Sequence, residues 1–360
     1  MQPEKKRRYD YNLLVVVFLL VVAGLVILYS TSAYNGEIKF HDSFYYLKKQ
    51  IFATLIGVAC MFAMANIDYH VWQYFATAGY VLALVLSTAV LFIGDEYNGS
   101  KRWLSFGPVS FQPSEYAKVA LIIFLAYIIM KNVKEISKIK ILVRIIFMIL
   151  PIVGLVGSNN LSTAVIILGI AVILIFVSSP KYAQFLVMGV IGTGFLGIFL
   201  ALESYRLERL EIWRNPEKFE KGYQTIQGLY AIGSGGLFGR GLGNSIQKLG
   251  FVPEAQNDMI FSIICEETGL AGAVLLILLF LILIFRFYLI AVHAKDLFGA
   301  LLASGVLSHI MIQLILNIAV VTNSIPNTGI TLPFVSYGGT SVVFLLLEMG
   351  LVLSVSNLIE

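Results

Sequence analysis

Charged residues are scarce in this chain. Asp, Glu, Lys and Arg together make up 13% of its 360 residues, whereas hydrophobic residues make up 58%. Soluble globular proteins usually carry about a quarter charged residues, so a soluble domain of this composition could not cover its apolar surface. The apolar residues also fall in long uninterrupted runs, and about 20 such residues cross a bilayer as a helix. Because backbone polar groups must be satisfied inside lipid, the sequence predicts a helical, multi-pass membrane protein.

Cysteine and histidine are also rare, which argues against a disulfide framework or a catalytic metal cluster. Both cysteines, Cys60 and Cys265, lie in apolar runs and are interpreted as small core residues. The four histidines are scattered along the chain, at His41, His70, His293 and His309. The formal net charge of +4 is too small to indicate a nucleic-acid partner. The first apolar run is long and is followed by others, so we interpret it as a retained span rather than a cleaved signal peptide.

We predict an all-α fold with ten membrane-spanning helices in one membrane domain that occupies residues 1–360. The predicted spans are residues 12–31, 47–65, 72–93, 114–131, 140–157, 159–178, 183–202, 260–288, 297–323 and 338–358. The boundary between the fifth and sixth spans is the weakest, because only residues 156–162 interrupt the apolar run there. A long polar segment, residues 203–259, separates the seventh span from the eighth.

The distribution of Lys and Arg predicts the orientation of these spans. If the N-terminal tail, residues 1–11, is cytoplasmic, the short loops on that face carry most of the Lys and Arg, as the positive-inside rule requires. An even number of spans then places both termini in the cytoplasm. Long loops cross the membrane largely regardless of charge, so we place residues 203–259 outside, as a large extracytoplasmic loop.

The stretch "NDMIF", residues 257–261, places a carboxylate between this loop and the eighth span. Asp258 there has two interpretations. A carboxylate at the N-terminus of a helix is favoured by the helix dipole, which would be a structural role. A partly buried carboxylate at the mouth of a membrane cavity could instead act as a general base. Glu254, on the approach to the same helix, is a second candidate.

The stretch "QPSEYAK", residues 112–118, begins the fourth span with ionisable groups. Pro113 suits the first turn of a helix, and Glu115 and Lys118 are then neighbours at i and i+3. Ionisable residues within spans are costly and are functional hypotheses by default, although a satisfied ion pair that only locks the helix is the alternative. In the functional interpretation Lys118, together with Arg102, binds an anionic group of a substrate near the outer surface.

Two further basic residues, Arg206 and Arg209, lie in "YRLERL", residues 205–210. Such a run is usually a solvated or interfacial helix face. It could also clamp phosphate, because a guanidinium group makes bidentate contacts with phosphate oxygens.

Two glycine-containing stretches predict irregular backbone beside the membrane. "AIGSGGLFGRGLGNS", residues 231–245, follows no predicted strand, so we interpret it as a tight, close-packed loop rather than a nucleotide site. "PNTGITLPFVSYGGTS", residues 326–341, resembles a re-entrant segment, which is tolerated only when buried in protein or lining a cavity. Its hydroxyls include Ser336 and Ser341, which we regard as candidate substrate contacts. Packing and hydrogen bonding are the expected roles of the remaining polar residues within spans, namely Glu266, Glu267, His309, Gln313, Asn317 and Glu348.

These stretches resemble the SEDS family, the FtsW, RodA and SpoVE proteins, over nearly the whole chain. The resemblance is carried by "KRWLSFGPVSFQPSEYAK", "GYQTIQGLYAIGSGGLFGRGLG", "FVPEAQNDMIFSIICEETG" and "TGITLPFVSYGGTS", and it is stronger to the FtsW and SpoVE branch. It implies a peptidoglycan glycosyltransferase that polymerises lipid II at the outer leaflet of the bacterial cytoplasmic membrane. It also implies a class B penicillin-binding protein as partner, other divisome or elongasome membrane proteins beside it, and Asp258 as the essential aspartate.

The mechanism that the resemblance implies is an inverting sugar transfer. Asp258 would accept the proton of the attacking hydroxyl, and undecaprenyl pyrophosphate would leave. Lys118, Arg102, Arg206 or Arg209, with or without a divalent cation such as Mg²⁺ or Mn²⁺, would stabilise the leaving group.

One departure from the family pattern concerns residues 158–164. Many relatives have Gln-Pro-Asp-Leu-Gly-Thr-Ala where this chain has "SNNLSTA", so Asn160 replaces a carboxylate and any metal-binding role of that carboxylate cannot be carried over. A lipid transporter and a scaffold that only recruits the transpeptidase remain the alternatives. A transporter should place its sites near the membrane midplane in repeat-related halves, and we find no internal repeat.

Overall fold

The computed structural model describes residues 9–97, 100–107, 109–181, 185, 189–190, 192–194, 197 and 210–359. Its helices are α1 (Tyr11–Phe40), α2 (Tyr45–Asn66), α3 (Val71–Ile93), α4 (Pro113–Lys131), α5 (Ile139–Asn159), α6 (Leu161–Ser178), α7 (Tyr223–Ser234), α8 (Ile260–His293), α9 (Leu297–Val321) and α10 (Gly339–Ser356). Single 3₁₀ turns occupy Val133–Glu135, Pro216–Lys218 and Glu220–Gly222.

In this described part of the chain, nine helices are long and apolar enough to cross a membrane, and the short helix α7 is not one of them. The nine correspond to nine of the ten predicted spans. The predicted seventh span, residues 183–202, falls mostly outside the described residues, as do Arg206 and Arg209.

Local sequence signals explain where several helices begin. Asp10 caps α1 by accepting a hydrogen bond from the backbone N–H of Leu13 at 2.9 Å, and Asp296 caps α9 in the same way. Pro113 occupies the first turn of α4, as predicted. Asn160 separates α5 from α6 and caps α6, so the weakest predicted boundary lies where two consecutive Asn residues interrupt the apolar run.

A small antiparallel sheet, which the sequence did not predict, connects α3 to α4. Its strands are β1 (Asp95–Tyr97), β2 (Ser100–Phe106) and β3 (Val109–Phe111), in the order β1-β2-β3. Glu96 pairs with Lys101 in the first ladder, and Ser105 pairs with Ser110 in the second. The hydroxyl of Thr340 donates to the Ser110 carbonyl at 2.8 Å, which attaches the sheet to the start of α10.

The centre of the bundle is α4. In its most apolar stretch 78% of residues are buried, against 28% for α3. The most extensive helix pair is α2 with α10, where small residues allow close approach. A Cβ atom at Gly57 would lie 2.7 Å from the Leu346 side chain, and one at Gly350 would overlap the Met61 carbonyl oxygen.

Both ends of the described chain lie at one end of the bundle. Asp10 forms an ion pair with Arg286, and the Asn357 side chain donates to the Ala65 carbonyl at 3.0 Å. The sheet, the α5–α6 junction and the segment between α9 and α10 lie at the opposite end, together with Asp258. We call this the Asp258 end.

Candidate active site

Asp258 lies in an irregular turn, residues 251–259, that leads into α8. We call this segment the Asp258 turn. Glu254 within it adopts a left-handed conformation with φ of 53°, and its carboxylate accepts a hydrogen bond from the Asn257 side chain. The Asp258 side chain is only 7% exposed although it lies outside any helix. A carboxylate held this way is largely removed from water and cannot simply be a solvated surface group.

A second irregular segment, residues 322–338 between α9 and α10, packs against the Asp258 turn. We call it the return segment. Its Tyr337 backbone N–H donates to the Gln256 carbonyl at 2.9 Å, and its Ser336 hydroxyl donates to the Asn257 carbonyl at 2.6 Å. Ser336 of the return segment therefore fixes the backbone of the Asp258 turn. Much of the return segment is buried in protein, as its composition predicted.

Asn317 of α9 joins these two segments. Its side-chain amide donates to the Asp258 carbonyl at 2.9 Å and to the Ile330 carbonyl at 2.7 Å, and the residue is fully buried. Since each carbonyl would otherwise lack a partner in an apolar interior, this amide fixes the backbone position of Asp258.

Gln224 of α7 approaches the Asp258 carboxylate itself. Its amide nitrogen lies 3.4 Å from Oδ1 of Asp258 and 3.3 Å from the Pro253 carbonyl oxygen. The amide oxygen of Gln224 accepts from Asn327 of the return segment at 3.2 Å. The side-chain contact of the carboxylate is thus a neutral amide that is itself held by Asn327.

Burial dominates the electrostatics of Asp258. Removal from water raises the pKa of its carboxyl group to about 7, and the nearby negative charge of Glu254 adds to the rise. Hydrogen bonds from the backbone N–H groups of Asp258 and Met259 and from Gln224 oppose the rise. A pKa near the ambient pH is the value that suits a general base, because the group is then both available and basic enough to take a proton.

The predicted pair in α4 forms, but it lies inside the bundle. The Lys118 ammonium is 2.9 Å from the Glu115 carboxylate and 3.5 Å from the side-chain oxygen of Gln313, and Lys118 is 2% exposed. Gln313 also meets His309 at 2.9 Å, and His309 meets Glu348 at 2.8 Å. A continuous polar chain therefore crosses from α4 to α9 and α10 within the membrane-spanning part of the structure. The buried ionisable residues predicted to serve packing and hydrogen bonding are found in such contacts.

The remaining predicted substrate contacts are spread over the Asp258 end. Ser341, in the first turn of α10, lies beside the Glu115 carboxylate. Arg102, on β2, donates from Nε to the Asn159 carbonyl at 3.1 Å, at the α5–α6 junction. Asp258, Glu254 and Ser336 form one cluster, and Glu115, Lys118 and Ser341 form a second.

The glycine-rich loop after α7 crosses α8 where that helix is broken. Gly269, inside α8, has φ of 67° and ψ of −169°. Residues 235–241, which we call the crossing loop, bind the backbone on both sides of the break through four hydrogen bonds of 2.9–3.0 Å: Arg240 to Glu266, Gly241 to Glu267, Leu270 to Gly236 and Ala271 to Leu237. A Cβ atom at Gly239 would overlap the Glu267 backbone, so only glycine fits this crossing. This agrees with the interpretation as a tight, close-packed loop.

A buried ion pair and several hydrogen bonds hold the residues that follow the crossing loop. The Lys248 ammonium and the Ser30 hydroxyl each lie 2.7 Å from the Glu267 carboxylate, which ties the loop to α1 as well as α8. Glu266 accepts from the Ser245 hydroxyl and from the backbone N–H of Ile246 at 3.1 Å. The segment from α7 to the start of α8 is therefore fixed along its length.

An apolar groove of about 150 Å³ opens between α2, α3, α4 and α10. It extends from Met64 and Trp72 to Tyr116 and Phe344, and Phe75 beside it is 58% exposed. The groove face of α4 is turned away from the face that carries Lys118. Such a groove suits an apolar chain that enters from the lipid.

Sequence reasoning missed Gln224 and Asn327, and it gave Asn317 only a packing role. Gln224 and Asn327 stand within stretches that were singled out for other reasons. Their contacts join residues that are 34 and 103 positions apart, and no local pattern in a single sequence indicates such pairing.

Comparison with known proteins decides the family. The model of the FtsW/RodA/SpoVE family, described as cell cycle protein, matches residues 10–359. The chain belongs to this family. As an FtsW/RodA/SpoVE protein with nine long apolar helices in its described part, it is a multi-pass membrane protein.

Similar proteins of this family cover almost the whole chain. Stage V sporulation protein E of Bacillus subtilis is 40% identical, over 98% of this chain and 98% of its own. The probable peptidoglycan glycosyltransferase FtsW of Geobacter sp. strain M18 is 36% identical, over 97% of both chains.

Solved structures of the FtsW/RodA/SpoVE type have the same fold. A chain of a peptidoglycan synthase complex, described as coordinating polymerisation and crosslinking, superposes with a TM-score of 0.82 at 28% identity, over 96% of this chain and 97% of its own. The rod shape determining protein RodA of Thermus thermophilus superposes with a TM-score of 0.72 at 28% identity, over 96% of both chains.

Proposed function

We propose that this protein is a peptidoglycan glycosyltransferase that polymerises lipid II into glycan strands at the outer face of the cytoplasmic membrane. Relatives named as probable peptidoglycan glycosyltransferases support the activity. The observation that carries the proposal is Asp258, a buried carboxylate with a pKa of about 7, fixed in position at one end of a membrane bundle. Such an environment suits a base that acts at neutral pH, since burial brings the pKa of the carboxyl group close to ambient pH.

Asp258 acts as the general base in an inverting transfer. Its carboxylate accepts the proton from the 4-hydroxyl group of the N-acetylglucosamine of lipid II. The hydroxyl oxygen attacks the anomeric carbon of the terminal N-acetylmuramic acid of the growing strand. The bond from that carbon to the pyrophosphate oxygen breaks, so undecaprenyl pyrophosphate leaves and the configuration inverts. Asn317 and Ser336 hold the backbone on either side of the carboxylate, and Gln224 contacts the carboxylate itself, which positions it for this step.

The apolar groove gives the lipid part of the substrate a place to lie. Isoprenoid chain in the groove between Trp72 and Phe344 would bring its pyrophosphate towards the first turns of α4 and α10. Tyr337 of the return segment binds the Asp258 turn, and the helix that follows it, α10, supplies Phe344 to the groove.

The pyrophosphate needs positive charge, and we propose Lys118, Arg102, Arg206 and Arg209 as its contacts, with Glu115, Glu254, Ser336 and Ser341 in the surrounding site. Lys118 would have to exchange part of its contact with Glu115 for a phosphate oxygen. The described residues include no group of three His, Cys, Asp or Glu side chains that could hold a metal ion. A Mg²⁺ or Mn²⁺ ion would therefore depend on pyrophosphate oxygens for much of its coordination.

We also propose the orientation and the partners. Both termini, which lie at the same end of the bundle, face the cytoplasm, and the Asp258 end with residues 203–259 faces outside. A class B penicillin-binding protein is the proposed partner, and the similarity to a chain of a complex that coordinates polymerisation and crosslinking supports it. Other divisome or elongasome membrane proteins would complete the assembly, in division or sporulation if the similarity to FtsW and SpoVE extends to their role.

The test compares wild type with Asp258→Asn, each purified with a candidate class B partner and supplied with lipid II and a divalent cation. Polymer from wild type and none from the folded variant supports both the activity and the base. Equal polymer from both would remove Asp258 from the mechanism.

Lipid II transport is the second candidate, because the His309–Glu348 pair lies buried within two spans, where transporters hold their coupling groups. Reconstituted vesicles with labelled lipid II separate the two functions. Transport that survives Asp258→Asn but stops with Glu348→Gln, without polymer from either protein, would favour the transporter.

A further inference from the structure

Gln224 stands where three segments meet. It lies in the first turn of α7, and its side chain reaches the Asp258 carboxylate, the Pro253 carbonyl and Asn327. Two of these contacts are in the Asp258 turn and the third is in the return segment. One amide therefore connects α7 with both irregular segments that surround the candidate base.

The orientation of this amide is set by its neighbours. A glutamine amide can be rotated by half a turn, which exchanges its oxygen and nitrogen, so its orientation follows from its hydrogen-bond partners. Asn327 presents a donor to one side of Gln224, while Asp258 and Pro253 present acceptors to the other. Only one orientation satisfies all three, and it directs the NH₂ group at Oδ1 of Asp258.

The other groups around Asp258 act differently. Glu254 is the charged group that acts on its carboxyl, and it repels a second negative charge. Backbone N–H groups of Asp258 and Met259 donate to the carboxylate from its own turn. Asn317 of α9 and Ser336 of the return segment hold backbone carbonyls of the turn rather than the carboxylate. The hydrogen bond from the neutral Gln224 side chain thus opposes the effect of Glu254 on the pKa of Asp258.

We propose that Gln224 is a positioning residue for the general base: it binds Oδ1 of Asp258, leaves Oδ2 to the substrate hydroxyl and favours the ionised carboxylate. This inference rests on the proposed function for its effect on turnover. Its effect on Asp258 ionisation stands independently, because the contacts are present without substrate. Removing the amide should shift the protonation of Asp258 to higher pH, since a hydrogen bond to a charged carboxylate stabilises the charged form.

The experiment measures Asp258 ionisation and polymerisation on the same proteins. Wild type, Gln224→Met and Asn327→Ala, each in complex with the class B partner, are treated with a hydrophobic carbodiimide, which reacts with protonated carboxyl groups, between pH 5 and 9. Mass spectrometry quantifies modification of Asp258 and separates it from Glu254 in fragment spectra. Polymerisation of lipid II over the same pH range gives kcat and KM. Gln227→Met, a matched change one turn along α7, is the control.

We expect Gln224→Met to raise the labelling midpoint of Asp258 by about 0.5 to 1 pH unit, the shift that corresponds to loss of one ordinary hydrogen bond, because the contact is long at 3.4 Å. The acidic limb of the pH profile of kcat should move to higher pH by the same amount, with KM changed less than about twofold. Asn327→Ala should give a smaller shift in the same direction, and Gln227→Met none.

An unchanged labelling midpoint in Gln224→Met would overturn the proposal, whether polymerisation stays intact or falls equally at every pH. If wild type makes no polymer but its labelling midpoint still responds to Gln224→Met, the proposed function fails while the contact with Asp258 stands. The two failures are therefore distinguishable.

Discussion

The Asp258 turn and the interior formed by α4, α9 and α10 both bury carboxylates, but they surround them differently. In the interior, Glu115 lies 2.9 Å from the Lys118 ammonium, and Glu348 lies 2.8 Å from the His309 ring. Asp258 accepts hydrogen bonds from the Gln224 amide and from backbone N–H groups. The charged group that acts on it is Glu254, which carries the same negative charge. In the sequence, Asp258 and the Glu115–Lys118 pair are functional candidates, whereas His309 and Glu348 are expected only to pack and form hydrogen bonds.

This difference separates a group that maintains the structure from one that is ready to react. A buried charge with an opposite partner is already neutralised, and breaking the pair leaves the remaining charge exposed to an apolar medium. A buried carboxylate without a cation has its protonation equilibrium moved towards neutral pH instead. The same burial therefore accompanies a neutralised charge in one place and a raised carboxyl pKa in the other.

The largest expected effect comes from removing the base. Asp258→Asn keeps the size of the side chain but cannot accept a proton from the substrate hydroxyl, and general base catalysis contributes about 10²–10⁴-fold. We expect polymerisation to fall by at least that much, while binding of lipid II stays within a fewfold of wild type. A rate assay and a binding assay on the same preparation measure both. Comparable losses of rate and binding would show that Asp258 is needed mainly to hold the substrate.

Breaking the Glu115–Lys118 pair should lower the stability of the protein. Lys118→Met leaves Glu115 buried without its partner, and breaking such a pair costs about 3–5 kcal/mol of stability. The double variant Glu115→Gln with Lys118→Met should recover most of it, because both charges are then gone. Thermal unfolding in detergent measures the stabilities.

Activity of that double variant sharpens the comparison. If stability returns but substrate binding and rate remain low, Lys118 contacts the pyrophosphate as proposed. If stability and kinetics both return, the pair only locks α4. Unchanged kinetics in Lys118→Ala would reject a substrate role for Lys118.

The stability of the folded protein should fall with rising pH because of Asp258. The folded-state pKa of about 7 lies above the ordinary value, so the folded protein binds a proton that the unfolded chain releases from about pH 4 upwards. Stability is therefore lost as pH rises from about 4 to 7. Asp258→Asn should be the more stable protein at pH 8, by a few kcal/mol at most, since each pKa unit corresponds to about 1.4 kcal/mol. Melting temperatures of both proteins from pH 4 to 8 test this, and parallel curves would contradict it.

The smallest effect is expected at Asn160, where many relatives carry a carboxylate. Its side-chain oxygen accepts from the Thr163 backbone N–H at 3.2 Å, and an aspartate can make the same cap. Asn160→Asp should change stability by less than about 0.5 kcal/mol. Polymerisation at several Mg²⁺ and Mn²⁺ concentrations provides the informative measurement. A lower cation requirement in the variant would show that this position can hold a metal ion.

Much of the membrane architecture could be predicted because hydropathy reports directly on spans. The fourth predicted span, residues 114–131, agrees with α4 to within one residue. The predicted span 12–31 ended too early, because residues 32–40, which are more polar than the apolar run, continue α1. Hydropathy marks where the apolar run ends, whereas the helix continues where tertiary contacts such as Asn35 with Gln256 support it.

The candidate site was predictable in part. Asp258 and the Glu115–Lys118 spacing could be identified from local context, and the pair forms as expected. The amide partners of Asp258 could not be identified, because Gln224 and Asn317 reach it from two separate helices, and Asn327 of the return segment acts on it only through Gln224. The sheet formed by β1, β2 and β3 was also missed, since its short strands are held by backbone pairing and by Thr340 rather than by a hydrophobic pattern.

The crossing of the glycine-rich loop over Gly269 limits how this protein can be recombined with its relatives. Four backbone hydrogen bonds place residues 235–241 in a fixed register against both halves of α8. An inserted or deleted residue there would shift every one of these pairs, so the loop cannot serve as a length-tolerant linker. A chimera that exchanges this loop would have to exchange residues 235–271 as one block, and that block includes Asp258.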